Sequence, residues 1–180
     1  MYALQLNSSH IWKAAPGCRI LVVDGGAVRF DFPAHWTVIS TPRYVCVVDR
    51  YPPLHRSLIA ISWRRAPIGT LGVPLAALVN EAALAETRTT LHRGATFGFF
   101  RPPLEAVWAE MRVLDSEERR EICTRLCLAR ADCTQALVIF DFRPEDELTL
   151  YPVWNTLLAT LSVGDYLEDP ATGRRRAKRG

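Results

Sequence analysis

The order of oily and polar residues along the chain changes period several times. Arg19 to Val23 is a short apolar run that reads as a strand, and Asp24-Gly25-Gly26 follows with side chains that tolerate positive φ. From Ala27 to Phe32 the pattern alternates. Val28, Phe30 and Phe32 face one way and Ala27, Arg29 and Asp31 the other, which predicts a hairpin with one buried face. Pro33 has no N–H to donate and ends that ladder. Trp36 is large enough to close the end of a core, and Val38 and Ile39 restart an extended segment. Tyr44 to Asp49 and Leu58 to Arg64 read as two more strands, the second with Ile59, Ile61 and Trp63 on one face; the Pro-Pro loop "RYPPLHR" links them.

The period then lengthens. Pro74 suits the first turn of a helix, where a missing N–H costs nothing, and Leu75, Leu78, Val79 and Ala82 follow at helical spacing with Glu81 and Glu86 outward. "TRTTLHRG" reads as polar connection, and Phe97 to Arg101 as a short strand broken by Pro102-Pro103. Next, Val107, Ala109, Met111 and Val113 share the predicted core face, opposite Trp108, Glu110 and Arg112. "DSEERRE" is a charged turn. Ile122 to Arg130 fits a helix or a strand, and turn-length links to its neighbours favour the strand. Ala136, Val138, Phe140 and Phe142 form the last strand face. "RPEDE" is a helix-start signal with acidic residues in the first turn, and Val153, Leu157 and Leu161, with Trp154 and Leu158 beside them, run at i, i+4, i+8 to Gly164. Few strands are separated by helices. The pattern therefore predicts an α+β fold, a twisted antiparallel sheet packed by two helices, with a single domain over residues 1–170 and a basic, disordered tail over 171–180.

Composition adds limits. The chain has 180 residues, enough for one sizeable core, and no apolar run approaches the roughly 20 residues of a membrane-spanning helix. The start lacks the basic and apolar regions of a secretory signal, so a cytoplasmic protein is expected. The formal charge is +3, but Arg174, Arg175, Arg176, Lys178 and Arg179 crowd the tail; without them, 17 basic residues face 19 acidic ones. Nucleic-acid binding therefore rests on the tail alone, through counterion release, and is an alternative reading rather than the main one. Cys18, Cys46, Cys123, Cys127 and Cys133 make an odd set without paired CxxC knuckles or a nearby His, which points to reduced thiols and no metal.

Candidate chemistry is sparse. His10, His35, His55 and His92 all fall in loop-like or terminal stretches, and no nucleophile elbow or phosphate-cradling glycine motif is present. "GTLGVP" precedes a helix start that could hold an anion, although a loop ending in a Pro-started helix explains it as well. A thiol-dependent hydrolase or acyl-transfer enzyme using Cys123, Cys127 or Cys133 is the catalytic alternative, and Asp141 is the only partner acid to suggest for Glu110. If the protein binds a partner through its sheet, Trp108, Glu110 and Arg112 are the first choices, with Glu110 or Arg112 otherwise pairing across strands with Arg125. No cofactor is expected.

Four phrases carry a family resemblance: Phe30-Asp31-Phe32-Pro33-Ala34-His35-Trp36; "LIAISW" before the mid-chain helix; the meander "LEAVWAEMRV", "REICTRLCLA", "TQALVIFDF"; and "RPEDELTLYPVWNTLLATL" followed by "SVGD". In this order the chain resembles the Mog/PsbP-like fold group, with the DcrB-like proteins and the effector-loading chaperones of contractile secretion systems, over about residues 18–168. The resemblance implies a twisted antiparallel sheet with helices on one or both faces. It also implies binding or assembly, as an adaptor or chaperone for a protein partner or through self-association, and no shared catalytic residues. Many members of that group are exported, whereas this sequence shows no signal or lipobox.

Overall fold

The computed structural model describes residues 10–41, 44–51, 53–66, 72–115, 119–169 and 172–175. The hairpin forms as the alternation requires. β1 (Cys18–Val23) pairs antiparallel with β2 (Val28–Pro33), and the turn between them has Asp24, Gly25 and Gly26 all at positive φ. Gly26 is required there: at φ 109° a Cβ would sit 2.3 Å from the Asp165 carbonyl oxygen. Trp36 is buried, its ring centroid 6.3 Å from that of Phe140, and its carbonyl accepts from the Arg19 guanidinium, which lies over Phe32. Pro33 thus releases the chain so that Trp36 can close the core, while His35 beside it points outward and is exposed.

β3 (Thr37–Ser40), β4 (Val45–Val48) and β5 (Ser57–Arg65) follow, then α1 (Leu75–Leu84), β6 (Thr89–Arg101), β7 (Leu104–Leu114), β8 (Glu121–Ala131), β9 (Thr134–Phe142) and α2 (Glu147–Thr160). Seven of these strands make one antiparallel sheet in the order β3-β4-β5-β9-β8-β7-β6. β10 (Ser162–Val163) joins β2, and β11 (Leu167–Asp169) pairs with β12 (Arg174–Arg175). The α+β sandwich expected from the sequence is the fold observed.

The sheet is a wall shared by two cores. On one face α2 and the β1–β2 hairpin bury Phe30, Ile59, Val138, Phe140, Trp154 and Leu157. On the other, α1 sets Leu75, Val79 and Ala83 against Ala109, Met111, Val113, Leu126 and Leu128. Two sequence expectations change as a result. Trp108 does not face away from the packing: it lies on the α2 side, half-buried, 6.0 Å from Trp154. Its alternation partners Ala109, Met111 and Val113 serve the α1 core instead, so both faces of β7 are covered. The "TRTTLHRG" connection is strand from Thr89 onward. β6 runs 13 residues with register shifts near Leu91 and at Gly94–Ala95, and as an exposed edge it has no buried face to print a period-2 pattern.

The β1–β2 hairpin is also less one-sided than the alternation implies. Asp31 is buried and accepts from the Ala15 N–H at 2.7 Å, while Trp12 stacks under the Arg29 guanidinium. The segment before β1, silent in the sequence, covers that second face. Part of the stretch expected as a disordered tail makes contacts: the Gly173 N–H donates to the Asp169 carbonyl, the Ile11 N–H donates to the Thr172 carbonyl, and Arg174 pairs with Glu168 at 3.0 Å. Residues 67–71, with most of "GTLG", and tail residues 176–180 lie outside the described residues.

Candidate functional site

Strand pairing and the start of α2 bring one set of charges together. Glu110 and Arg125 stand directly opposite across β7–β8, and Arg125 Nε donates to Glu110 Oε1 at 2.9 Å. One step along, Arg112 lies opposite Cys123 and donates to Glu121 Oε1 at 2.7 Å. The helix starts nearby because Arg143-Pro144-Glu145-Asp146 turns the chain there, and Arg56 holds Asp146 and Glu145 at 2.9 and 2.8 Å. That places Glu147, the first residue of α2, 3.6 Å from Arg112 and 3.9 Å from Arg125. Glu147 therefore spans both arginines. Glu110, Arg112, Cys123, Arg125, Glu147 and His92 line a cleft of about 210 Å³ on the α2 face of the sheet.

The members are not equivalent. Arg125 is 5% exposed in its side chain, and its guanidinium lies 5.2 Å from the Phe142 ring, 5.8 Å from Trp154 and 5.9 Å from Tyr151. Its Nη1 has no hydrogen-bond partner. A buried cation held by one tight carboxylate and three aromatic faces is a fixed charge under the cleft floor. Arg112 and Glu147 are near half-exposed and free to exchange partners at the surface. Trp108 is two residues from Glu110 on the same face, 5.6 Å from Phe97, which is exposed.

Thus the structure brings Glu110 and Arg112 to the cleft with Arg125, whereas Trp108, on the same strand face, does not line it and packs against Phe97 and Trp154. Glu147 was legible only as first-turn acid, since nothing local places α2 against β7 and β8. Asp141 is not brought to Glu110. It lies on the α1 face, held by Arg88 at 2.7 Å and Thr124 at 2.7 Å, so the two carboxylates are on opposite sides of the sheet.

The thiols differ in accessibility. Cys123 borders the cleft with His92, but burial pushes its thiol up to about 11, Arg112 and Arg125 opposing and Glu147 and Glu121 adding to the rise. Cys127 is enclosed and pushed up to about 12 by burial. Neither forms much thiolate at neutral pH. Cys133 is exposed at the β8–β9 turn. Among the described residues no group of three or more His, Cys, Asp or Glu is placed to hold a metal ion. His10 is buried against Gly173 rather than near a thiol.

A larger groove of about 530 Å³ lies at the other end of α2, where Arg101 donates to the Ala159 and Leu161 carbonyls at 2.8 and 2.6 Å. Its charges are spent on the protein itself: Arg101 caps the helix end and Asp31 anchors the segment before β1.

Comparison with known proteins gives a consistent picture. A family profile described as Alr1449 matches residues 19–167. The protein alr1449 of Nostoc sp. (strain PCC 7120) is 29% identical over 172 residues, covering 94% of this chain and 90% of its own. Two solved structures share the fold at low identity. Cyanobacterial PsbP (CyanoP) from Synechocystis sp. PCC 6803 has a TM-score of 0.57 at 12% identity, covering 85% of this chain and 98% of that one. LpqN of Mycobacterium tuberculosis, described as involved in cell envelope biogenesis, has a TM-score of 0.55 at 9% identity, covering 81% and 89%. The PsbP-like resemblance expected from the sequence therefore holds at the level of fold. No helix among the described residues is long and apolar enough to cross a membrane.

Proposed function

The chain belongs to the Alr1449 family, and we propose that it is a non-catalytic binding or accessory protein, an adaptor or chaperone for another protein, acting through the cleft between the sheet and the start of α2. The observation that carries this reading is the charged rim of that cleft. Arg112 and Glu147 are half-exposed over a fixed Arg125, with exposed Tyr151 and Phe97 on either side. Arginine and aromatic groups at an open margin suit protein recognition, and the surface ion pairs can be traded for a partner's charges at little cost.

The thiol-enzyme reading has less support, because burial raises the thiols of Cys123, which borders the cleft, and of the enclosed Cys127. The tail reading is weakened where it can be followed, since Arg174 pairs with Glu168. Five free cysteines support a reducing, cytoplasmic location.

The test is native purification at low salt of the untagged protein and of Arg112→Glu. A stoichiometric foreign protein held by the wild type, and held at least about tenfold less by the variant, is expected. A variant with unchanged fold and unchanged retention, or a wild type that retains nothing, would remove the cleft from consideration.

A further inference from the structure

The sheet has two edges, and they are built differently. β3 is only four residues long, a common way of blunting an edge. β6 is 13 residues long and contains no acidic residue, and no described strand pairs with its outer side. Its first half is interrupted by register shifts and carries Arg93. Its second half is regular: Thr96, Phe97, Gly98, Phe99, Phe100 and Arg101 pair without interruption with Ala109 back to Leu104. Phe97 and Phe100 are 44% and 70% exposed there, one on each face of the sheet. A regular, apolar, uncovered edge is a template for another strand.

We infer that the occupant is a second copy of this chain, joined β6 to β6 in antiparallel register about a two-fold axis through Gly98. This deepens the binding reading above and rests on it. The register follows from geometry. Residues directly opposite in an antiparallel pair point to the same face, and a two-fold normal to the sheet preserves faces, so the axis must pass through a residue paired with its own copy.

Few choices survive. An axis at Phe97 brings Ala95 and Gly94, where the register shifts, opposite the partner's Phe99 and Phe100, and one at Phe99 sets Phe97 against Arg101 and brings in Pro102, which lacks an N–H. An axis at Thr96 or earlier carries the Gly94–Ala95 irregularity of both copies into the pairing. With the axis at Gly98, Phe97 meets the partner's Phe99 twice on the α2 face, backed by Trp108 at 5.6 Å from Phe97. On the α1 face Thr96 meets Phe100 twice, on either side of the paired glycines. No like charges stand opposite each other. Arg101 is already bound to the carbonyls at the end of α2. Aromatic cross-strand pairs of this kind are among the stabilising ones.

The test uses two exposed positions, Thr96 and Phe100, so folding is not at stake. Light scattering coupled to size exclusion, across a concentration series of the full chain, is expected to give twice the 20.2 kDa chain mass at the upper end. T96K/F100K places like charges opposite one another twice and should weaken association at least about tenfold relative to T96E/F100K, in which the same positions attract. Amide exchange at 96–101 should slow with concentration in the wild type and not in T96K/F100K. A wild type of single-chain mass throughout, or the two double variants associating equally, would overturn the inference. The two failures are separable: a monomer that still holds a foreign protein through Arg112 leaves the binding reading standing, and a monomer that holds none removes both.

Discussion

The cation beneath the cleft invites a decisive substitution. Arg125 makes one tight contact, the 2.9 Å Nε–Oε1 bond to Glu110, while its contact to Glu147 is at 3.9 Å. Glu110→Gln removes the charge that balances Arg125 but keeps the shape. Breaking a buried pair by removing one partner costs about 3–5 kcal/mol, and a hydrogen bond to a charged group about 1.5–3. Glu110 is 37% exposed, so water can reach part of the pair and the lower range applies. A loss of about 2 kcal/mol is expected, a fall in Tm of about 4–8 °C for a chain of this size. Arg125→Met, by contrast, replaces the cation with an apolar group that suits the Phe142, Tyr151 and Trp154 rings, and should change stability by less than about 1 kcal/mol. In that background Glu110→Gln should cost almost nothing. Urea melts at neutral pH and low salt on the four proteins close the cycle. If Glu110→Gln costs the same with and without Arg125, the buried cation is not what Glu110 stabilises and the description of the cleft floor is wrong.

Other outcomes follow from the same coordinates. Trp154, 2% exposed between Phe140 and Trp108, should cost about 3–5 kcal/mol when changed to Ala, read by denaturant melts; a loss below about 1 kcal/mol would show that the α2 face is not the main core. Iodoacetamide on the native protein should label Cys133 first and leave Cys127 unmodified, with mass spectrometry of peptides as the readout; fast labelling of Cys123 would revive a reactive thiol. The hydrogen bond from Arg88 holds Glu86 below its ordinary range, with burial opposing. Its contribution is therefore present above the usual glutamate value of about 4.3 and is lost as pH falls through the lower folded value. Glu86→Gln should lower stability at neutral pH and flatten the acid side of the pH–stability curve; an unchanged acid slope would show that the pair is inert.

Much of the fold was legible because burial on one face leaves a period in the sequence. The β1–β2 hairpin, β5, β9 and the Val153, Leu157, Leu161 stripe of α2 and its end show it, whereas β8, buried on both faces, is marked as a strand by its turn-length links. β6 does not, because both its faces meet solvent and nothing selects alternate residues. β7 was assigned its strand but only one of its two packed faces, since an alternation with Trp on one side and Ala, Met and Val on the other suits a strand covered on both sides equally well. The Glu110–Arg125 pair could be foreseen because a short turn fixes the β7–β8 register. Glu147 and the burial of Trp12 and His10 could not, for they depend on where distant segments come to rest.

The two cores on either side of the shared wall are unequal. α1 has one short apolar stripe, Leu75, Val79 and Ala83, for its hold on the sheet, whereas α2 and the hairpin grip the opposite face with the large aromatic side chains. Such a build separates two tiers of resistance to thermal agitation. Backbone amides of the α1 layer are therefore expected to exchange with solvent before those of the aromatic side, on which the charged cleft is built.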